Sequence, residues 1–170
     1  MMMIAKYKGN FYNYSCEKEK IDWNHNVAIN CGKSYLSTRR LEKQLSGFIK
    51  RNDIMYMKID EQSLSDIFYI EYIVGYDTDL PSIPTEWIVQ DIIDEKIKVE
   101  YGLGHLPGWS ACDKYTSFNL IDKDDIKSSK LQYVYTKKDG IKYSEPVVDE
   151  KRVDIDELIR VYREYWWKNL

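Results

Sequence analysis

No apolar run in this 170-residue chain approaches the roughly 18 residues that a membrane-crossing helix needs, so a helical anchor is excluded. The opening MMMIAKYKGN lacks the apolar core and small-residue cleavage site of a signal peptide, and the chain is therefore expected in the cytoplasm. Cysteine is scarce: Cys16, Cys31 and Cys112 are an odd number, which favours free thiols over a disulfide framework. No C-x-x-C pair exists, and His25 with Cys16 or Cys31 falls short of a zinc ligand set, so no metal and no cofactor are expected. Low-complexity linkers are missing as well. The expectation is a single domain over residues 1–170, or two similar β-rich halves of about 1–76 and 77–170.

Basic residues are absent between Lys58 and Lys96, a gap that holds ten Asp and Glu side chains. The first 52 residues carry 10 Lys and Arg against 4 Asp and Glu, and the remaining 118 carry 15 against 24. Like-charge runs are commonly disordered. This one also contains Ile67, Phe68, Tyr69, Ile70, Tyr72, Ile73, Val74, Trp87, Val89 and Ile92, enough apolar surface to bury, so it should fold and present an acidic surface.

Hydrophobic patterning predicts mostly antiparallel strands. Gly9-Asn10 breaks a tyrosine-rich stretch into a hairpin, and strands are predicted from Val27 to Cys31 and from Ile54 to Ile59. Ser37 with Leu41, Leu45 and Phe48 has the spacing of a short capped helix, and Asp60 to Asp66 reads as a turn. A strand from Phe68 to Tyr76 is followed by a Pro-containing loop and a hairpin, Trp87 to Ile93 with Ile97 to Tyr101, with a helix through Trp87 to Ile93 as the rival reading. Lys137 to Gly140 suits a third hairpin turn. The chain ends in a helix capped by Asp154, with Ile155, Leu158, Ile159, Tyr162 and Trp166 on its buried face and Val161 and Trp167 off it. An internal echo links Met57-Lys58-Ile59-Asp60 to Asn119-Leu120-Ile121-Asp122, each followed by a short turn and a strand. The fold class is α+β: SH3-like or half-barrel sheets with a short internal helix and a C-terminal helix.

Motifs for chemistry fail on their spacing. Cys31-Gly32-Lys33-Ser34 lacks the first glycine of a phosphate loop, and Gly102-Leu103-Gly104 lacks the third glycine of a dinucleotide fingerprint. Asp122 to Asp125 lacks the glycine and the bidentate glutamate of a calcium loop. A small enzyme using Cys112 and His105 is the alternative reading, because a thiolate needs a neighbour that lowers its pKa. The bland reading of the pair, a loop histidine and a buried structural cysteine, is preferred. Nucleic acid is not expected as a partner, because the acidic segment would repel phosphates. The basic cluster Arg39, Arg40, Lys43, Lys50 and Arg51 reads as a solvated face.

What remains is the acidic, aromatic segment. Carboxylates steer a basic partner, while Tyr and Trp supply desolvated anchors. Asp77, Asp79, Glu86, Trp87, Asp91, Asp94 and Glu95 are therefore the candidate partner-binding residues, with no catalytic residue among them. The order Tyr7-Lys8-Gly9, Gly47-Phe48, Tyr56 and Lys58, Asp60 to Leu64, then Tyr69 to Tyr76 resembles that of the small tyrosine-rich immunity proteins encoded beside polymorphic toxins in Gram-positive bacteria. The resemblance implies a non-catalytic, cytoplasmic antidote that binds its cognate toxin's C-terminal domain and occludes the active site. Inhibition or adaptation of another cellular protein stays open beside it.

Overall fold

The computed structural model describes residues 2–18, 31–43, 45–166 and 169–170; the expected strand start at Val27, His25 and Trp167 lie outside the described residues. The chain forms two compact units, Met1–Tyr69 with Val134–Val148 and Glu164–Leu170, and Ile70–Tyr133 with Asp149–Arg163. The chain thus leaves the first unit at residue 69 and returns to it twice.

In the first unit Lys8 and Gly9 both have positive φ (47° and 82°), the left-handed pair that a two-residue hairpin needs. They join β1 (Met3–Tyr7) to β2 (Asn10–Lys18), with Tyr7 opposite Asn10. β2 pairs with β3 (Cys31–Thr38), and a short β4 (Ile49–Arg51) pairs with β5 (Ile54–Ile59), which also pairs with β3, all antiparallel. A 3-10 turn, Glu61–Ser63, follows. Asp60 caps it, its Oδ1 accepting the Gln62 N–H at 3.0 Å. The chain then enters β6 (Asp66–Gly75), which pairs back onto β1 with Ala5 opposite Ile67. The order is β4-β5-β3-β2-β1-β6, all antiparallel, with a 3-10 turn before the last strand. Alternation along the strands turns Ala5, Tyr12, Leu36 and Met57 inward to meet Leu64 and Ile67 in one core. The buried Tyr12 hydroxyl donates to the Lys43 carbonyl at 2.6 Å, so the core holds no orphan there.

The second unit repeats this plan pairing for pairing. The end of β6 pairs with β7 (Glu86–Ile93), and β7 with β8 (Lys96–Tyr101) across Asp94 and Glu95 at φ 48° and 66°. β9 (Ser110–Ala111) and β8 both pair with β10 (Ser117–Asp122). A 3-10 turn, Lys123–Asp125, leads to β11 (Ser128–Lys138), which pairs with β6. Hydrogen bonds follow the same correspondence. Ser65 N–H donates to the Lys6 carbonyl at 3.1 Å as Lys127 N–H does to Gly75 at 2.9 Å, and Leu64 N–H donates to Glu61 as Ile126 does to Lys123, both at 3.2 Å. Tyr12 opposite Ala5 is answered by Trp87 opposite Val74, and all four are buried. The two segments of the internal echo, ending at Asp60 and Asp122, hold corresponding places before the two turns.

Asp139 and Gly140 (φ 51° and 81°) turn β11 into β12 (Ile141–Val153), and α1 (Ile155–Glu164) follows. Asp154 caps α1 as predicted, accepting the Glu157 N–H at 2.8 Å. The buried face of α1 is Leu158, Ile159, Val161 and Tyr162. Val161 is therefore inside, against expectation. Trp166 lies beyond the last helical residue and is half-buried, because a helical phase cannot be carried past the end of the helix. The internal helix is only a 3-10 turn, Leu41–Lys43, since Ser37 stays in β3 and Gly47 at φ 101° follows closely. Leu41 is consequently exposed. Cys16 is disulfide-bonded, in contrast to the free thiols expected. An odd cysteine count excludes complete pairing, not one bridge.

Candidate functional site: an acidic edge on the second unit

The fold sorts charge between the units. The first unit carries 15 Lys and Arg against 11 Asp and Glu, net +4, and the second carries 10 against 17, net −7. The carboxylates of the second unit gather where three elements meet: the β7–β8 turn, the 3-10 turn after β10 and the start of α1. Lys123 links all three. Its Nζ is 3.1 Å from Asp156 Oδ1 on α1 and 3.9 Å from Glu95 Oε2 on the β7–β8 turn. The hydrogen bond to Asp156, and then the charges of Asp156 and Glu95, raise the Lys123 pKa. Lys96 pairs with Asp122 at 2.9 Å, a cross-strand contact set by the β8–β10 register. Around these two lysines stand Asp94, Glu95, Asp122, Asp124, Asp125 and Asp156, all exposed, which leaves four uncompensated negative charges. Ile93, 43% exposed, adds an apolar spot beside Asp94. Exposed pairs of this kind are screened by solvent and contribute little to stability. Their field, however, reaches about 8 Å into solution at physiological salt.

The candidate residues named from sequence are dispersed along this unit. Asp94 and Glu95 belong to the acidic edge. Asp77 pairs with Lys127 at 3.6 Å and accepts the N–H of Asp79, an exposed residue at φ 57°. Glu86 binds Lys130 at 3.1 Å, and Lys130 also reaches Glu150 at 3.3 Å. Trp87 is buried, its Nε1 donating to the Tyr76 carbonyl at 3.0 Å and its ring 5.1 Å from that of Trp109. Asp91 is half-buried, and its Oδ1 accepts both the Tyr162 hydroxyl and the Ile92 N–H at 2.8 Å. Burial first, and that bond next, push the Tyr162 pKa upward.

Asp122, Asp124, Asp125 and Asp156 were missed as partners of the β7–β8 turn. The signal available was the Ile-Asp echo, which places Asp122 at a strand end. Nothing local in sequence joins residues 95, 123 and 156.

The Cys112 and His105 pair is not brought together by a hydrogen bond. His105 Nε2 contacts the Asp113 carbonyl at 2.8 Å, and Cys112 is a free, exposed thiol, not a buried one. Among the described residues no group of three or more His, Cys, Asp or Glu side chains is placed to hold a metal ion, and no helix is long and apolar enough to cross a membrane. Compared with protein-family models, with curated proteins and with solved structures, the chain matches none.

Proposed function

We propose that this chain is a non-catalytic binding protein of the immunity type, which neutralises a basic toxin domain by laying the acidic edge of its second unit over the toxin's cationic cleft. One observation carries the reading: six exposed carboxylates from three separate elements converge around only two lysines. Such a field speeds encounter with a cationic surface and disfavours wrong partners. The tyrosine-rich order of the first half adds the resemblance to antidotes. The same reading places the chain in the cytoplasm of the producing cell, a compartment in which disulfides such as that of Cys16 are rare. Inhibition of a different basic cellular protein would use the same edge, and the neighbouring gene separates the two.

The test is co-expression with the C-terminal domain of a toxin encoded beside this gene. Growth should be restored by the wild-type chain. Asp94→Lys with Asp124→Lys and Asp156→Lys should abolish protection while the thermal midpoint stays within a few degrees. Full protection by that folded triple variant would refute the siting, and failure of the wild-type chain to protect would refute the antidote reading.

A further inference from the structure

The outer face of the first unit's sheet carries cations and tyrosines that nothing in the described chain answers. Alternation turns Ser34, Leu36, Thr38, Met55 and Met57 inward, leaving Tyr35, Tyr56 and Lys58 on the other face. Register sets Tyr35 directly opposite Lys58, and Tyr56 between Ser37 on β3 and the exposed Ile49 on β4. Tyr35 and Tyr56 are thus diagonal neighbours on adjacent strands, at a separation of roughly 7–8 Å. Arg51 lies one row further along β4, and Lys33 extends the row on β3, with Glu17 its cross-strand neighbour.

Among the described residues, neither tyrosine stacks on another ring or uses its hydroxyl, and Lys33, Arg51 and Lys58 make no ion pair. Asp53, in the β4–β5 turn, is close to Arg51 in sequence and does not pair with it either. In the second unit Lys96, Lys98, Lys123, Lys127 and Lys130 each have a carboxylate within 3.9 Å, whereas Lys114, Lys151 and Arg152 make no ion pair among the described residues. This sheet face therefore sets three cations without an ion pair beside two half-buried tyrosines that stack on no other ring.

We propose that this face is a platform for single-stranded nucleic acid, with Tyr35 and Tyr56 each stacking a base and Lys58 and Arg51 meeting the flanking phosphates. Stacking tolerates any base, because every base has a π-face, and the cations supply the sequence-independent attraction. An acidic protein would engage the cations and leave the paired rings without a role. The expectation against nucleic acid rested on the acidic segment, and those carboxylates belong to the second unit, whereas the first is net positive. This inference is independent of the antidote reading.

The experiment is fluorescence anisotropy of the full chain with a labelled oligothymidylate of about 20 nucleotides, a duplex of equal length and a polyglutamate competitor. Single-strand binding is expected at about 50 mM salt, falling roughly tenfold by about 200 mM as two or three phosphate contacts are screened. Tyr35→Ala and Tyr56→Ala should each weaken it about tenfold, and Lys58→Ala should reduce the salt slope by about 0.7. Tyr115→Ala, an exposed tyrosine of the second unit, should change nothing. Should an alanine variant lose its fold by circular dichroism, Tyr35→Leu and Tyr56→Leu keep an apolar strand residue while removing the stacking ring. Absence of binding at about 50 mM salt overturns the proposal. So does binding that polyglutamate displaces equally well and that the tyrosine variants leave intact, which would identify a charge-only face for an acidic protein.

Discussion

Asp91 offers a test of packing against the proposed binding within the acidic segment. Its Oδ1 takes two hydrogen bonds at 2.8 Å, one from its own strand and one from Tyr162 on α1. The Tyr162 ring is 8% exposed and meets Tyr72 edge-on at 5.1 Å, so the hydroxyl is delivered to Asp91 by a fixed ring. A hydrogen bond to a charged group is worth about 1.5–3 kcal/mol, and the low end applies because Asp91 is only half-buried. Tyr162→Phe should therefore cost about 1.5 kcal/mol, and Asp91→Ala slightly more because the Ile92 N–H also loses its acceptor. The double variant should show a coupling energy of about 1 kcal/mol. Asp94→Asn and Glu95→Gln, on the exposed turn, should stay within about 0.5 kcal/mol while slowing association with the partner at low salt. Urea unfolding followed by tryptophan fluorescence gives the stabilities, and stopped-flow mixing gives the association rates. A coupling energy below about 0.3 kcal/mol would show that the Tyr162 bond does not hold α1 to β7. An Asp91 variant of unchanged stability but slower association would return Asp91 to the binding face.

Thiol counting on denatured, unreduced protein should find one reactive cysteine, Cys112, and reduction should raise the count to three and cost about 2–4 kcal/mol of stability. Three thiols before reduction would remove the Cys16 bridge. Burial, ahead of its other interactions, pushes the Tyr14 pKa up to about 12 from 10.0. Between these pH values the unfolded chain releases a proton that the folded chain keeps, so stability should fall as pH rises through this window. Tyr14→Phe should flatten that fall in pH-dependent urea titrations, and an unchanged slope would refute the assignment. Trp87→Ala, at a 4% exposed position, should cost about 3–5 kcal/mol by thermal and urea unfolding. Cys112→Ser and His105→Ala should leave the proposed protection in the co-expression test intact; loss of protection at unchanged stability would instead point to thiol chemistry.

Local signals were legible wherever the physics is local. The glycines Gly9 and Gly140 marked two of the hairpin turns, although the first turn is Lys8-Gly9, one residue before the expected Gly9-Asn10, because Asn10 already pairs with Tyr7; the Asp154 cap was visible three residues ahead of Glu157. The helix predicted after Ser37 failed because tertiary pairing won: Leu36 and Thr38 are fully buried as strand residues, so β3 runs on past Ser37. The candidate site was half legible. Composition located the acid, but residues 95, 122, 123 and 156 converge only through the β8–β10 register and the place where α1 begins. Trp87 misled for a related reason. An aromatic in an acidic run can be a binding anchor or a core residue, and only its opposite number Val74 shows that it is core.

The two units show how one scaffold separates its surfaces. Lys6 and Gly75 accept equivalent backbone bonds, which makes Phe11, opposite Lys6, the counterpart of Glu86, opposite Gly75. Counting three residues on from Ser65 and Lys127 makes Phe68 the counterpart of Lys130. At this shared position the first unit holds an edge-to-face aromatic pair, Phe11 and Phe68 with centroids 6.0 Å apart, and the second holds the Glu86–Lys130 ion pair at 3.1 Å. The aromatic pair is further covered by Tyr165, 5.6 Å from Phe11, whereas the ion pair is joined by Glu150. Backbone pairing is identical in kind, so the strand plan does not dictate which chemistry occupies the position. Both units bury the row Tyr12 or Trp87, Leu36 or Val99, whereas the Phe11–Phe68 position, where Phe68 is buried, takes an ion pair in the second unit. The same freedom permits unpaired cations beside tyrosines on one unit and converging carboxylates on the other, so function is to be sought in the outward rows, where the two units differ.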